Sequence, residues 1–360
     1  MSDAPAGRGG REEKTPRRAL SDRAIDRLRR VADEPALDLS GTPYRVIGEI
    51  GRGGMGAVYL AHDAELDREV ALKVAAAPAG EAADLSRRLR QEAAILARLE
   101  HPGIVPVHDV GRLPDGRAYY VMKRVRGRRL DQVVADGAER GALLRAFGRI
   151  CEAVASAHAN GVLHRDLKPE NVMVGPFGEV LVMDWGAAKI LGPGDGEPES
   201  ERHAGAGAGA APVGTEHGTV IGTPGYMAPE QARGEIGSLG PASDVYALGA
   251  ILYFLLVRRH PPAHALAGRD DALAPRRLDP KIPRALAAIV LRAMAPTPAG
   301  RYATPEALAA DVSLFTERLP VSAYPEGLFL KAVRLAGKYQ TAIWLVLAYV
   351  VMRWLLMYFR

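Results

Sequence analysis

Cysteine is nearly absent: Cys151 is the only one in 360 residues. A lone cysteine closes no internal disulfide, so the fold must rest on its core, and a reducing compartment fits. Its setting, Ile150-Cys151-Glu152-Ala153-Val154, reads as an apolar helical stretch, with the thiol as a small core residue. No cluster of Cys and His has zinc-ligand spacing. Charge of one sign is not in excess either, since the formal net charge is +5. No basic stripe with interleaved aromatics appears, so nucleic acid is not an expected partner. A secretory signal is also missing, because Arg17-Arg18 is not followed by an apolar run. What is present is an ordinary globular composition, 48% hydrophobic and 25% charged. That is enough for one large domain or two modest ones.

Residues 1–40 are rich in Gly, Pro, Arg and acidic residues, with 9 basic and 8 acidic side chains that nearly cancel. They predict a disordered arm, with one helix from Ser21 to Ala32. From Tyr44 the texture changes. Strands are expected at Tyr44–Ile50, Ala57–Ala61, Glu69–Val74, Val105–Val110 and Ala118–Lys123, with a helix at Glu81–Leu99. Beyond about residue 130 the pattern turns helical. A strand-rich part with one helix, followed by a helix-rich part, implies an α+β chain of two lobes, 44–124 and 125–318, with a cleft between them. Residues 192–219 include the run His203–Ala211 and predict a flexible insert.

Two apolar runs need separating. Val245–Val257 is too short for a bilayer and reads as a buried helix. Thr341–Phe359 spans 19 residues, broken once by Arg353, and as a helix it would be roughly 28 Å long. Lys331, Arg334 and Lys338 precede it after a linker over 319–340. The run predicts a transmembrane helix that keeps the two lobes at the cytoplasmic face. Arg353 opposes this at a cost of about 2.5–3.5 kcal/mol near mid-helix, which snorkelling toward the distal end lowers. The alternative is a hydrophobic helix docked on the protein or on a second copy.

Four segments carry the chemistry. Gly51, Arg52, Gly53, Gly54, Met55 and Gly56, with Val58 beyond, form a glycine-rich turn between two strands. Such a backbone can approach phosphate oxygens and offer N–H groups, although a plain hairpin would also use glycine. Val70-Ala71-Leu72-Lys73 ends an apolar strand on a lysine. On the following helix Leu85, Leu89, Leu96 and Leu99 form an inward stripe, and Glu92 shares their face. A carboxylate there needs a partner, and Lys73 is the natural one; the pair would hold the lysine against α- and β-phosphates. The third segment, His164-Arg165-Asp166-Leu167-Lys168-Pro169-Glu170-Asn171, is a polar loop after an apolar helix. Asp166 would orient an attacking hydroxyl and accept its proton, and Lys168 would neutralise charge on the transferred group. Asn171 and Asp184, the latter in Val180-Leu-Val-Met-Asp184-Trp185-Gly186, would supply oxygens to a hard cation.

In order and spacing these motifs resemble the signature set of the eukaryotic-like (Hanks-type) bacterial serine/threonine protein kinases, from about Tyr44 to Arg318. The resemblance implies a bilobal kinase fold, ATP with Mg²⁺ (Mn²⁺ accepted in its place), protein substrates and serine or threonine acceptors. Lys168-Pro-Glu-Asn171 and Gly222-Thr223-Pro-Gly-Tyr-Met-Ala-Pro-Glu230 resemble the serine/threonine branch more than the tyrosine branch. By resemblance, Thr223 contacts Asp166 and Lys168, Glu230 pairs with Arg301, and Asp244 holds the backbone of the catalytic loop. Met122 guards the back of the adenine pocket, backbone groups of Lys123 and Val125 bond adenine, and Ala71, Val58 and Met173 sandwich the ring. Arg165 gathers a phosphate placed on the activation segment, 184–230, where Thr215 and Thr219 are the candidate sites for autophosphorylation between copies. Trp185 stands where the family usually has Phe, and Lys123 where an acidic residue is common. The first implies changed packing with activity retained. A pseudokinase scaffold and a small-molecule kinase of the same fold are the other readings. Lys73, Asp166 and Asp184 are all present, which opposes the first, and the intact 223–230 segment opposes the second.

Overall fold

The computed structural model describes residues 37–53, 56–76, 83–190, 224–235, 238–262, 274–325 and 340–358. Gly54, Met55, Thr215, Thr219 and Thr223 lie outside them, as do the expected Ser21–Ala32 helix and the 192–219 insert.

The first lobe is a five-stranded antiparallel sheet ordered β1-β2-β3-β5-β4. Its strands are β1 (Tyr44–Gly53), β2 (Gly56–Asp63), β3 (Arg68–Ala75), β4 (Val107–Arg112) and β5 (Ala118–Lys123), with helix α1 (Ala83–Leu96) between β3 and β4. Side chains alternate across a strand, and β3 uses both faces. Val70, Leu72 and Val74 join Tyr44, Tyr119 and Val121 on one side, while Ala71 and Ala75 join Tyr120, Met122 and α1's Leu89, Ala93 and Leu96 on the other. The expected strand at Val105–Val110 begins later, at Val107. Pro106 cannot donate to a ladder, and Ile104 instead bridges Val182 of the other lobe.

The second lobe contains β6 (Arg128–Arg129), α2 (Leu130–Ala135), α3 (Arg140–Ala159), β7 (Val162–Leu163), β8 (Val172–Val174), β9 (Val180–Val182) and β10 (Lys189–Ile190). It continues with α4 (Pro229–Ala232), α5 (Pro241–Val257), α6 (Pro275–Leu278), α7 (Arg284–Ala293) and α8 (Pro305–Thr316). Helix α5 is apolar all round and buried from Ser243 to Leu256, as its sequence requires. Pro241 opens it at the first turn, where no N–H is needed. Cys151 lies wholly buried on α3, and burial pushes its thiol well above the ordinary range.

Both expected boundaries shift. Leu37 and Leu39, assigned to a disordered arm, pack against the Tyr44 and Tyr119 side of the sheet. Residues 319–325, assigned to a linker, belong to the second lobe. Asp311 on α8 accepts Ser322 N at 2.7 Å, Ala323 N at 3.1 Å, Ser322 Oγ at 2.8 Å and Tyr302 Oη at 2.7 Å. Burial raises the Asp311 carboxyl, but these bonds outweigh it and hold the carboxyl below its ordinary range.

The last helix, α9 (Gln340–Tyr358), is the region expected to span a membrane. Its side chains from Trp344 to Tyr358 are exposed on every side. Among the described residues, no helix is long and apolar enough to cross a membrane. Gln340 and Arg353 lie within its 19 residues.

Candidate active site

The site forms where β3, α1 and the loops after β7 and β9 converge. Antiparallel pairing of β3 with β2 and β5 sets Lys73 opposite Val58 and Ala71 opposite Met122. Ala71 and Met122 are buried, with Val58 and Val125 packed against the same cluster. Met173 pairs with Leu181 on the floor below, and Lys123 is exposed at the end of β5.

The glycines of the turn divide by function. A Cβ on Gly56 would sit 2.0 Å from Val74 O, so the β2–β3 approach alone demands glycine there. At Gly51 and Gly53 a Cβ would meet nothing within 4 Å. Packing of the described residues does not explain those two. Arg52 pairs with Glu49 across the strand end at 2.5 Å.

Lys73 Nζ donates to Glu92 Oε1 at 2.7 Å and Oε2 at 2.8 Å, and lies 3.7 Å from Asp184 Oδ1. The Glu92 side chain is 1% exposed, so an unpaired carboxylate would be costly. Tyr120 Oη also donates to it, at 2.9 Å. Burial, with Glu92 beside it, pushes the Tyr120 hydroxyl well above its ordinary range. A tyrosine therefore completes the pair, a role that period-2 reading of β5 could have suggested but did not.

The loop after β7 holds Asp166, Lys168 and Asn171, the groups expected to react. Lys168 Nζ donates to Asp166 Oδ2 at 2.7 Å. Asn171 Nδ2 donates to Asp166 O at 2.8 Å and Oδ2 at 3.3 Å. The Asn171 amide N–H is thus used internally, leaving its oxygen as the atom for a cation. Asp184 is half exposed, with φ at 59°, a left-handed conformation that aspartate tolerates. Among the described residues no three His, Cys, Asp or Glu side chains could enclose a metal alone. An Asn171–Asp184 pair fits a hard ion whose shell is completed by phosphate oxygens and water.

Buried polar groups fix this loop. Asp244 on α5 accepts His164 N and Arg165 N, both at 2.9 Å, and His158 Nε2 at 2.8 Å. Burial raises this carboxyl, but the His158 bond, the neighbouring His158 and His164 rings and the Arg165 amide together bring it below its ordinary range. His164 Nε2 donates to Met183 O at 3.0 Å, while its Nδ1 accepts Asp166 N at 3.3 Å, which sets the tautomer. Trp185 is buried, its ring 4.6 Å from that of His164, and its Nε1 donates to Val182 O at 3.2 Å. Arg165 has φ at 68°, and its carbonyl accepts Gln231 Nε2 at 2.7 Å. Burial lowers the Arg165 pKa, and its Nε has no partner among the described residues.

Glu230 and Arg301 form a bidentate pair at 2.7 and 2.8 Å with Ser243 Oγ donating at 2.9 Å. Burial raises the Glu230 carboxyl, and the Arg301 bonds and charge more than offset this. Gln231, His158 and Ser243 were missed by the sequence reading. His158 was legible: it continues the Cys151–Val154–Ala155 face of α3, and a buried imidazole needs a partner.

Residues 44–285 match the family model of the protein kinase domain. The chain is 34% identical over 308 residues to the serine/threonine-protein kinase PknD of Protochlamydia amoebophila, covering 79% of this chain and 31% of that protein. It is 38% identical over 285 residues to PknD of Chlamydia trachomatis serovar D, covering 72% and 30%. The chain thus spans about a third of the length of these curated relatives. The kinase domain of Mycobacterium tuberculosis PknI superposes with a TM-score of 0.52 at 26% identity, over 78% of this chain and 98% of that one. With a kinase-domain match over most of its length and the Lys73–Glu92 pair beside Asp184, the chain belongs to the protein kinase family, in its Hanks-type bacterial serine/threonine branch.

Proposed function

We propose that this chain transfers the γ-phosphate of ATP to serine and threonine hydroxyls of proteins. The carrying observation is the Lys73–Glu92 pair at 2.7 and 2.8 Å, with Asp184 3.7 Å from the same ammonium. In the reaction the acceptor oxygen forms a bond to the γ-phosphorus as the bond to the β-phosphate oxygen breaks and ADP leaves. Asp166 orients the acceptor hydroxyl and takes its proton. Lys168, on Asp166 at 2.7 Å, offsets negative charge as the phosphoryl group moves. Lys73, locked by Glu92, fixes the α- and β-phosphates. Asn171 and Asp184 would hold Mg²⁺, which when bound neutralises phosphate charge. The backbone at Gly51–Gly56 covers the phosphates, Lys123 and Val125 bond adenine through their backbone, and Thr223 selects the hydroxyl. Glu230, Asp244 and Arg301 position these groups. Labelled-ATP transfer to a basic protein and to the chain itself tests the proposal. Asp166→Ala and Lys73→Ala each remove the signal, and equal labelling by wild type and Asp166→Ala refutes it.

Regulation by phosphorylation of Thr215 or Thr219 between associated copies is part of the same reading. The half-buried Arg165 side chain, with its buried Nε unpartnered among the described residues, supports a phosphate receptor beside the catalytic loop. Phosphopeptide mapping that finds neither threonine modified in active enzyme removes it. The membrane anchor rests only on the exposed apolar surface of α9, and its proposed position keeps the kinase domain cytoplasmic. Recovery of the full chain in the detergent-free soluble fraction refutes the anchor.

A further inference from the structure

A concentrated patch of one charge sign lies on the second lobe, on α6, α7 and the turn between them. From Pro275 to Ala293 the sequence holds five basic residues and one acid, Asp279, an excess of four where the whole chain has a net charge of +5. The turn is closed on itself. Pro275 and Ile282 are buried beneath it. Arg276 Nη1 donates to Ile282 O at 2.9 Å, and Ile282 N donates to Asp279 O at 3.1 Å. The single acid is spent inside the turn, its Oδ1 accepting Lys281 N at 2.9 Å.

Helix α7 divides into two faces. Leu286, Ile289 and Val290 are buried, whereas Arg284 and Leu291, two helical turns apart, are exposed together. Leu278, at the end of α6, is 50% exposed and Leu291 is 39% exposed. Arg277 and Lys281 stand on the outside of the same turn. Lys281 and Arg284 form no ion pair among the described residues. The outer surface is thus a strip of basic side chains with two leucines set among them.

We propose that this strip docks on an anionic lipid surface. Each Lys or Arg brought near such a surface strengthens binding by about fivefold. The leucines enter the acyl boundary, while the long basic side chains keep their charges at the headgroup phosphates. An acidic protein would meet the cations but would set charged surface against the leucines, which favours lipid. The course of the chain agrees. Arg292 Nη1 on α7 donates to Ser322 Oγ at 2.8 Å, so the segment 319–325, which leads to α9, lies beside this helix. The contact requires neither phosphoryl transfer nor a bilayer-spanning α9.

The test places a nitrobenzoxadiazole dye on Leu278→Cys in the full chain, where Cys151 is wholly buried and stays unlabelled. Vesicles of phosphatidylcholine alone, and of phosphatidylcholine with phosphatidylglycerol in equal parts, are titrated in at fixed ionic strength. The expected result is a blue shift and brightening of the dye with the anionic vesicles only. Lys281→Ala and Arg284→Ala, both at exposed positions and checked for unchanged melting, each move the midpoint to about fivefold more lipid, and the two together to about 25-fold more. An equal response to neutral vesicles overturns the proposal, because the contact is then apolar alone. No response, or midpoints unchanged in the variants, also overturns it. So does a dye signal that rises with protein concentration without lipid, which makes a second copy the occupant, or the same response to poly-glutamate, which makes it an acidic protein. The dye reads lipid contact without ATP, so a shift in a chain inactive in phosphoryl transfer separates failure of the kinase reading from failure of this one.

Discussion

Replacing Arg301 by alanine should destabilise the second lobe severely. The Arg301 side chain is 0% exposed and that of Glu230 is 2% exposed. Arg301 donates to both Glu230 oxygens, to Ala295 O at 2.8 Å, to Ala242 O at 2.9 Å and to Pro296 O at 3.1 Å. Its guanidinium also lies 5.1 Å from the Tyr246 ring centroid. The truncation leaves an uncompensated carboxylate and three carbonyls with one donor fewer. Removing one partner of a buried pair typically costs about 3–5 kcal/mol. At about 2–4 °C per kcal/mol for a domain of this order, the melting temperature should fall by roughly 6–20 °C. Glu230→Leu with Arg301→Met removes both charges and should recover part of the loss, since no buried charge is then orphaned. Differential scanning fluorimetry of wild type, both single variants and the double variant yields the coupling. A shift under about 2 °C for Arg301→Ala, or a double variant as impaired as the sum of the singles, refutes the reasoning.

The same pair predicts an acid limit. The folded Glu230 pKa lies below its ordinary value of 4.5, so its contribution is complete above that pH and is lost as pH falls through the depressed value. Melting temperatures measured downward from pH 6 should therefore drop more steeply in wild type than in the Glu230→Leu, Arg301→Met variant. Trp185→Phe removes the indole N–H that Val182 O accepts, a loss of about 0.5–1.5 kcal/mol, so steady-state kinetics should show activity within roughly tenfold of wild type; a hundredfold loss would contradict the packing account. Tyr120→Phe keeps the Lys73–Glu92 pair but removes one donor from the buried carboxylate, and a several-fold rise in KM for ATP is the expected reading. A chain ending at residue 285 loses α8, whose Leu308 and Val312 are buried in the core, and should give no cooperative melt where a chain ending at 325 does.

Much of the site was legible because its chemistry is local in sequence. Glu92 betrayed itself as a carboxylate on an apolar helical face, and the loop from His164 to Asn171 as polar groups too dense for an ordinary turn. Long-range satisfaction was harder to read. Nothing near Asp311 announces that its carboxylate receives the backbone of residues 322 and 323, so the sequence pattern ends the lobe at 318. Leu37 and Leu39 sit in charged, proline-containing surroundings and were read with them, though the sheet needs their side chains as cover. The glycine turn mixes two causes that only the strand packing separates: Gly56 is required by its neighbour strand, whereas Gly51 and Gly53 are not.

Arg165 sits in a left-handed conformation that costs a non-glycine residue on the order of 1 kcal/mol or more. It is held there from both ends of its own unit, the amide by Asp244 from α5 and the carbonyl by Gln231 from α4. The loop therefore behaves as a cocked latch with two independent catches. Releasing either catch lets the backbone relax and swings Asp166, the next residue, out of register. Variants at Gln231 and Asp244, distant in sequence from Lys73, Glu92 and Asp184, should then share one kinetic signature: turnover falls while ATP is still held.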